Sequence, residues 1–261
     1  MMNNKIDIEK VKKPIELRYF DEKMILPNNV QAEINTYWEK RVRENPKLRR
    51  GKVYCIRDII HHPDKTIYNL AGTDYAHYLY TLNCDIEEEY ACKVCFAVGL
   101  IITSDNKYII GQMNEDTATP LRLQLPGGGL EEQDISDGRV CLDRNLDREL
   151  KEEVGFGLFD NQIVHSAKLT YVKHGGIGKF VAFIYSIKST LSSSEYTSYF
   201  RNFCAARQDK SELCNIFFID RELDAANEFF NSLQIPVVDY LYPVILKDIK
   251  ERGIHYENMD N

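Results

Sequence analysis

Residues 94–103, VCFAVGLIIT, are ten residues without a charge. They are rich in β-branched side chains and end at the turn-forming Ser104-Asp105-Asn106. A run of this length suits a strand buried on both faces. KYIIGQM, 107–113, follows the turn at hairpin distance, so the two segments are expected to pair. A doubly buried strand needs cover on both sides, which points to helices flanking a sheet.

The other patterns supply that cover. Val30, Ile34, Trp38 and Val42 recur every four residues and predict a helix over 28–46, with Asn28 as its cap and Pro46 as its stop. Strands are expected at 51–60, 163–173, 179–187 and 214–220, the middle two joined by HGGIG. AGTDYAHYLYTL, 71–82, is aromatic-rich and has no clear period. The Ser/Tyr-rich stretch 189–199 reads as a loop or flap. Helical stretches near 221–232 and 239–252 close the chain.

Composition narrows the function. A net charge of −7 and a pI near 5.5 leave no general basic face for nucleic acid. No window of about 18 apolar residues exists, so neither a membrane span nor a membrane partner is expected. The start, MMNNKIDIEKVKKPIELRYF, lacks a signal-peptide core. Seven scattered cysteines suit reduced thiols and a cytoplasmic location. Cys92 and Cys95 form a lone CxxC, with Cys84 nearby, whereas a structural zinc site takes four ligands. Cys95 opens the apolar run and reads as a small hydrophobe.

The chemistry concentrates in RELKEEVGF, 148–156. Glu149, Glu152 and Glu153 stand at i, i+3 and i+4, which puts them on one face of a helix. Each like-charge pair there costs roughly 0.2–0.5 kcal/mol. A hard divalent cation reverses that penalty. Gly155 stops the helix just past the cluster. Upstream, Pro126-Gly127-Gly128-Gly129 is a glycine-rich turn that a metal or phosphate could approach closely.

Taken together, 126–156 resembles the Nudix box, G-x5-E-x7-R-E-U-x-E-E-x-G-U, with U apolar. Arg148, Glu149, Leu150, Glu152, Glu153, Gly155 and Phe156 match its second half, and Pro126, Gly127, Gly128, Leu130 and Glu131 match its opening. Counting forward from Gly128 places the middle acid at Asp134, whereas counting back from Arg148 places it at Val140. About six residues are therefore inserted, and Asp134 or Asp137 is left to replace that acid.

The resemblance implies a Nudix-type α/β/α sandwich with a mixed sheet over 91–261, preceded by an N-terminal α+β extension over 1–90. It implies Mg2+ or Mn2+ on Glu149, Glu152, Glu153 and the carbonyl of Gly127, with Arg148 orienting Glu149. Glu152, Glu153 or Glu212 would serve as general base, and Gly128 and Gly129 would meet the substrate. A homodimer is the assembly it implies.

The reaction expected is metal-dependent hydrolysis of a nucleoside diphosphate linked to a group X. WEKRVRENP, AGTDYAHYLYT and the inserted box together look like the UDP-glucose pyrophosphatase branch. In that branch Tyr75 and Tyr78 would help wall the nucleotide pocket. ADP-ribose is the alternative substrate. A nucleotide sensor that binds without cutting is the alternative of another class, though such domains typically lose the three glutamates.

Overall fold

The computed structural model describes residues 5–117, 119–207 and 211–257. In chain order it contains β1 (Ile6–Lys10), β2 (Ile15–Lys23), α1 (Asn28–Glu44), β3 (Lys52–His61), β4 (Thr66–Asp74), α2 (Tyr75–Asn83), β5 (Cys95–Ile102) and β6 (Lys107–Met113). Four short strands follow: β7 (Leu123–Gln124), β8 (Gly127–Gly129), β9 (Ile135–Ser136) and β10 (Arg139–Val140). The remainder is α3 (Leu142–Glu153), β11 (Val164–Gly175), β12 (Val181–Ser189), α4 (Ser193–Ala206), β13 (Leu213–Asp220), α5 (Leu223–Ser232) and α6 (Leu241–Glu257).

The main sheet runs β1-β11-β12-β5-β6-β13, with β8 also on β5 and β7 also on β6. Only the β12–β5 pairing is parallel within it, so the sheet is mixed. The alternation of β5 shows why its sequence is apolar throughout. Cys95, Ala97 and Ile101 face Leu142, Leu146 and Leu150 of α3. Val98, Leu100 and Ile102 face Ala226 of α5 and Leu241, Val244 and Ile245 of α6. Helices thus cover both faces, giving an α/β/α sandwich.

A second sheet, β3-β4-β2-β10-β9, lies on the α3 side, where Leu17, Tyr54 and Leu70 join the same core. Strand pairing crosses residue 90 in both directions. β1 pairs with β11, matching Ile8 to Lys173, while β10 pairs with β2, matching Val140 to Leu17. Helices α1 and α2 pack on each other through Ile34, Ala76 and Tyr80. No described helix is long and apolar enough to cross a membrane.

Three local expectations are corrected. Residues 193–206 form helix α4 rather than a loop or flap: Ser192 and Glu195 make a reciprocal cap, and Tyr196 and Phe200 bury one face. The PGGG turn places Gly127–Gly129 in a short strand on β5. Helix α1 begins after Pro27 with no side-chain cap, so Asn28 is its first residue.

Candidate active site

Helix α3 carries two programs on one stripe. Leu142, Asn145, Leu146, Glu149, Leu150 and Glu153 are its buried residues, spaced at 3 and 4 like an ordinary core face. Two of the three glutamates are therefore drawn inside with the leucines. Glu153 is only 1% exposed and Glu149 8%. Glu152 keeps about half its side chain in solvent.

Strand β8 receives them. The Gly127 N–H donates to Glu153 Oε2 at 2.7 Å. Gly127 has φ +136°, and a Cβ there would lie 2.3 Å from the Ala97 carbonyl. A Cβ on Gly128 would strike the Glu149 carboxylate at 2.5 Å, so the chain comes this close only because the side chain is missing. At the far end, Gly155 at φ +86° stops α3, and its N–H bonds the Leu150 carbonyl at 3.0 Å.

Arg148 joins these parts. Its Nη1 lies 2.8 Å from Glu149 Oε1 and 3.6 Å from both Glu131 and Glu152. Its Nη2 donates to the Gly129 carbonyl at 3.0 Å and to Asp134 Oδ2 at 3.2 Å. Asp134 is fully buried, and its Oδ2 also accepts from the Glu131 N–H at 2.8 Å and from Asn145 Nδ2 at 3.2 Å. Of the two acids left open by the inserted box, Asp134 is thus in the network. Asp137 sits exposed in the β9–β10 turn at φ +50°.

Asn145 escaped the sequence reading. It is fully buried, accepts from the Ala97 N–H at 3.1 Å and donates to the Gly129 carbonyl at 2.7 Å. Its signal was available: a lone amide at a core position of α3, one turn before Glu149.

The remaining candidates divide. Glu212 is exposed just ahead of β13, and its charge reaches both Glu149 and Glu153. The neighbouring Ser211 hydroxyl donates to the Glu153 carbonyl at 3.4 Å. Tyr75 lies on the α1–α2 side, edge-on to Trp38 with ring centroids 6.4 Å apart and tilted against Tyr78. Gly128 and Gly129 pair with Ala97 and Phe96. The cysteines of the CxxC are buried and free.

Electrostatics tests the set for a cation. Burial pushes the Glu149 carboxyl up to about 7; Arg148 opposes this, and Glu152 and Glu212 add to it. Burial also holds Glu153 well above the usual carboxylate range; the Gly127 N–H opposes it, and Glu149, Glu212 and Glu152 add to it. As placed, Glu149 engages Arg148 and Glu153 engages Gly127. Among the described residues, no three His, Cys, Asp or Glu side chains already converge on one point. The donor chemistry still fits a hard cation: four carboxylates that disfavour one another's charge, two of them shielded from water.

This has a consequence for stability. Glu149 releases its proton near 4.5 when unfolded and near 7 when folded. Between those values the folded chain holds the extra proton, so stability falls as pH rises. The loss reaches about 3 kcal/mol if only this group counts. His77 and His174, pushed down by burial, act oppositely below pH 6.5, so a variant must isolate the effect. Metal-free wild type should lose melting temperature from pH 5 to 8 relative to Glu149→Gln. Millimolar Mg2+ should shrink the difference, and parallel profiles would show that Glu149 is not the group responsible.

A small cleft of about 250 Å3 opens beside Arg148, Glu152, Arg144 and Lys151. A larger one, about 880 Å3, lies at the other end of β5, near Ile102. Its buried Asp248 is saturated by Tyr108, Tyr171 and Arg221. It shares no lining residue with the glutamate helix.

No protein-family model matches the chain, and no curated protein matches it by sequence. Solved structures do resemble it. A NUDIX hydrolase from Nitrosomonas europaea is 14% identical over 62% of this chain and 90% of its own, with a TM-score of 0.36. DR0079 from Deinococcus radiodurans is 10% identical over 76% of this chain and 98% of its own, with a TM-score of 0.43. A bifunctional NMN adenylyltransferase/ADP ribose pyrophosphatase from Francisella tularensis, complexed with AMP and a Mn ion, is 15% identical at a TM-score of 0.38. That match spans 61% of this chain and only 42% of the other.

Proposed function

We propose that this protein is a Nudix-type pyrophosphohydrolase, cleaving the diphosphate bond of a nucleoside diphosphate linked to a second group. The observation that carries the proposal is the docking of the RELKEEVG helix on the PGGG strand. Glu153 meets the Gly127 N–H, and Arg148 meets both the Gly129 carbonyl and Glu149. The residues that make the box recognisable as sequence are the ones in mutual contact.

In this reading Glu149, Glu152, Glu153 and the Gly127 carbonyl hold Mg2+ or Mn2+. Such an ion, when bound, neutralises the diphosphate and lowers the pKa of the attacking water. The chain's own residues do the rest. Arg148 fixes the Glu149 carboxylate through one nitrogen while its other nitrogen is held by Asp134 and Gly129. Gly128 lets the strand lie against the Glu149 carboxylate, and Gly129, with open space where a Cβ would stand, would let a phosphate lie against the backbone. Glu152, the most exposed of the three and 3.6 Å from Arg148, or Glu212 would take a proton from water. Burial and the neighbouring carboxylates favour the protonated form of Glu149 and Glu153, so a bound cation would displace those protons and supply the missing counter-charge.

A nucleotide sugar such as UDP-glucose is the favoured substrate, because the insertion in the box belongs to that branch by resemblance. ADP-ribose is second. The test is a substrate panel with purified protein and Mg2+: UDP-glucose, ADP-ribose, dinucleoside polyphosphates and nucleoside triphosphates. UMP with glucose 1-phosphate is the expected product pair. Turnover of ADP-ribose alone would move the specificity. Nucleotide binding with no turnover of any compound would replace the enzyme by a sensor.

A further inference from the structure

The larger cleft, about 880 Å3, lies at the end of the main sheet away from the glutamates. The parallel strands β5 and β12 both finish at it: Ile102 pairs with Lys188, and both residues line the cleft. Val98, four residues earlier on β5, pairs with Gly127 of the PGGG strand. The two ends are thus about 13 Å apart along one strand. The volume falls among those of small-molecule sites, roughly 300–1,000 Å3.

The charges around the cleft do not cancel. Asp248 is 5% exposed and accepts from the Tyr108 hydroxyl at 2.6 Å, the Tyr171 hydroxyl at 3.1 Å and Arg221 Nη2 at 2.6 Å. Arg221 Nε donates to the same carboxylate at 2.9 Å, whereas its Nη1 makes no hydrogen bond among the described residues. A buried acid steadied by two phenols therefore holds one guanidinium still in the cleft wall. Glu251, the other carboxylate of the wall, is taken by Lys10 at 2.7 Å and Lys247 at 3.4 Å. Lys188 on β12 and His165 on β11 are exposed, and neither side chain pairs with a described residue. Both acids are neutralised and a lysine is left over, in a chain whose net charge is −7.

A fixed guanidinium and a free ammonium on one cleft suit an anion with several oxygens, and phosphate matches the guanidinium fork. The rest of the lining tells what the phosphate is attached to. Ser104, Thr170 and Thr190 bring hydroxyls and Asn106 an amide. Tyr171, the one phenol or phenyl ring in the lining, is 2% exposed and has its hydroxyl on Asp248. A polyol finds hydrogen-bond partners there, and a nucleobase finds no open aromatic face to stack on. We propose that this cleft binds a sugar phosphate, with Arg221 and Lys188 on the phosphate and the polar strand ends on the sugar. The site goes beyond the hydrolase reading and does not depend on it, because it shares no residue with the glutamate helix.

Calorimetric titration in EDTA tests this, since without a cation the carboxylates at the other end of β5 repel a phosphate. The probes are glucose 1-phosphate, ribose 5-phosphate, inorganic phosphate, glucose and UMP. Both sugar phosphates should bind wild type, with inorganic phosphate about threefold weaker or worse and glucose without measurable heat. Lys188→Glu, an exposed change, should weaken both by about tenfold or more and leave the melting temperature unchanged. Lys40→Glu makes the same change of charge on the exposed side of α1 and should bind like wild type. Equal affinity of wild type and Lys188→Glu would overturn the site, as would a wild type that binds neither sugar phosphate. Equal losses in Lys188→Glu and Lys40→Glu would overturn it too, since overall charge would then account for the binding. Inorganic phosphate as tight as both sugar phosphates, or UMP tighter than either, would overturn the sugar as the ligand.

Discussion

Glu153→Gln is expected to lower kcat by about a thousandfold without lowering the melting temperature of the metal-free protein. The two halves of that result have one cause. Glu153 is 1% exposed, and its ionised form is disfavoured by burial and by the neighbouring carboxylates. An amide of the same shape removes that unfavourable charge. Its carbonyl oxygen can still accept from the Gly127 N–H, so the α3–β8 junction persists. What is lost is the ligand charge that a divalent cation needs. Rates with saturating Mg2+ and a thermal melt in EDTA check both halves. Near-normal turnover would sink the metal assignment, and a collapse in melting temperature would show that Glu153 is held mainly for the fold.

The second large effect is expected from Asp134→Ala. Asp134 is fully buried and takes hydrogen bonds from the Glu131 backbone, Asn145 and Arg148 through one oxygen. Its other oxygen finds no partner among the described residues, so the buried charge leans on Arg148. Removing it leaves the Glu131 N–H without its acceptor, takes one of two acceptors from Asn145 and one of four carboxylates from Arg148, at a cost of about 3 kcal/mol. For a chain of this size that is a melting temperature lower by about 10 °C. Turnover should fall with it, since Arg148 loses the contact that fixes its Nη2. Asp137→Asn is the control: Asp137 is exposed at the hairpin turn at φ +50°, which asparagine also tolerates, and the change should stay within about 0.5 kcal/mol. Equal effects of the two substitutions would mean that the inserted segment does not act through Arg148.

What could be read from sequence follows how local the physics is. β5 was legible because a ten-residue apolar run can be explained only by burial on both faces, and β6 because a turn follows at hairpin distance. Helix α3 was legible twice, as carboxylate spacing and through the resemblance of 126–156 to the Nudix box. The stretch 189–199 was not, because serine and tyrosine are weak helix formers. The reciprocal Ser192–Glu195 cap and the Tyr196–Phe200 spacing decide it, and both are easily overlooked in a polar segment. Asp134 could not be chosen over Asp137 by counting, because an insertion erases the register that counting needs. Burial separates them: one lies under Arg148 and the other on a turn.

The pairings across residue 90 bear on how the chain reaches this state. The first strand completes the edge of the large sheet, while the hairpin inserted before α3 completes the edge of the small one. Each sheet thus depends on a piece of chain from the other's half of the sequence. Neither can close until segments more than a hundred residues apart have met, since Leu17 must find Val140 and Ile8 must find Lys173. Closing contacts that distant carries a larger loop-closure entropy cost and slows folding. The hairpin that follows Asp134 is therefore held in the small sheet by an N-terminal strand, so the surroundings of Arg148 draw on both halves of the sequence.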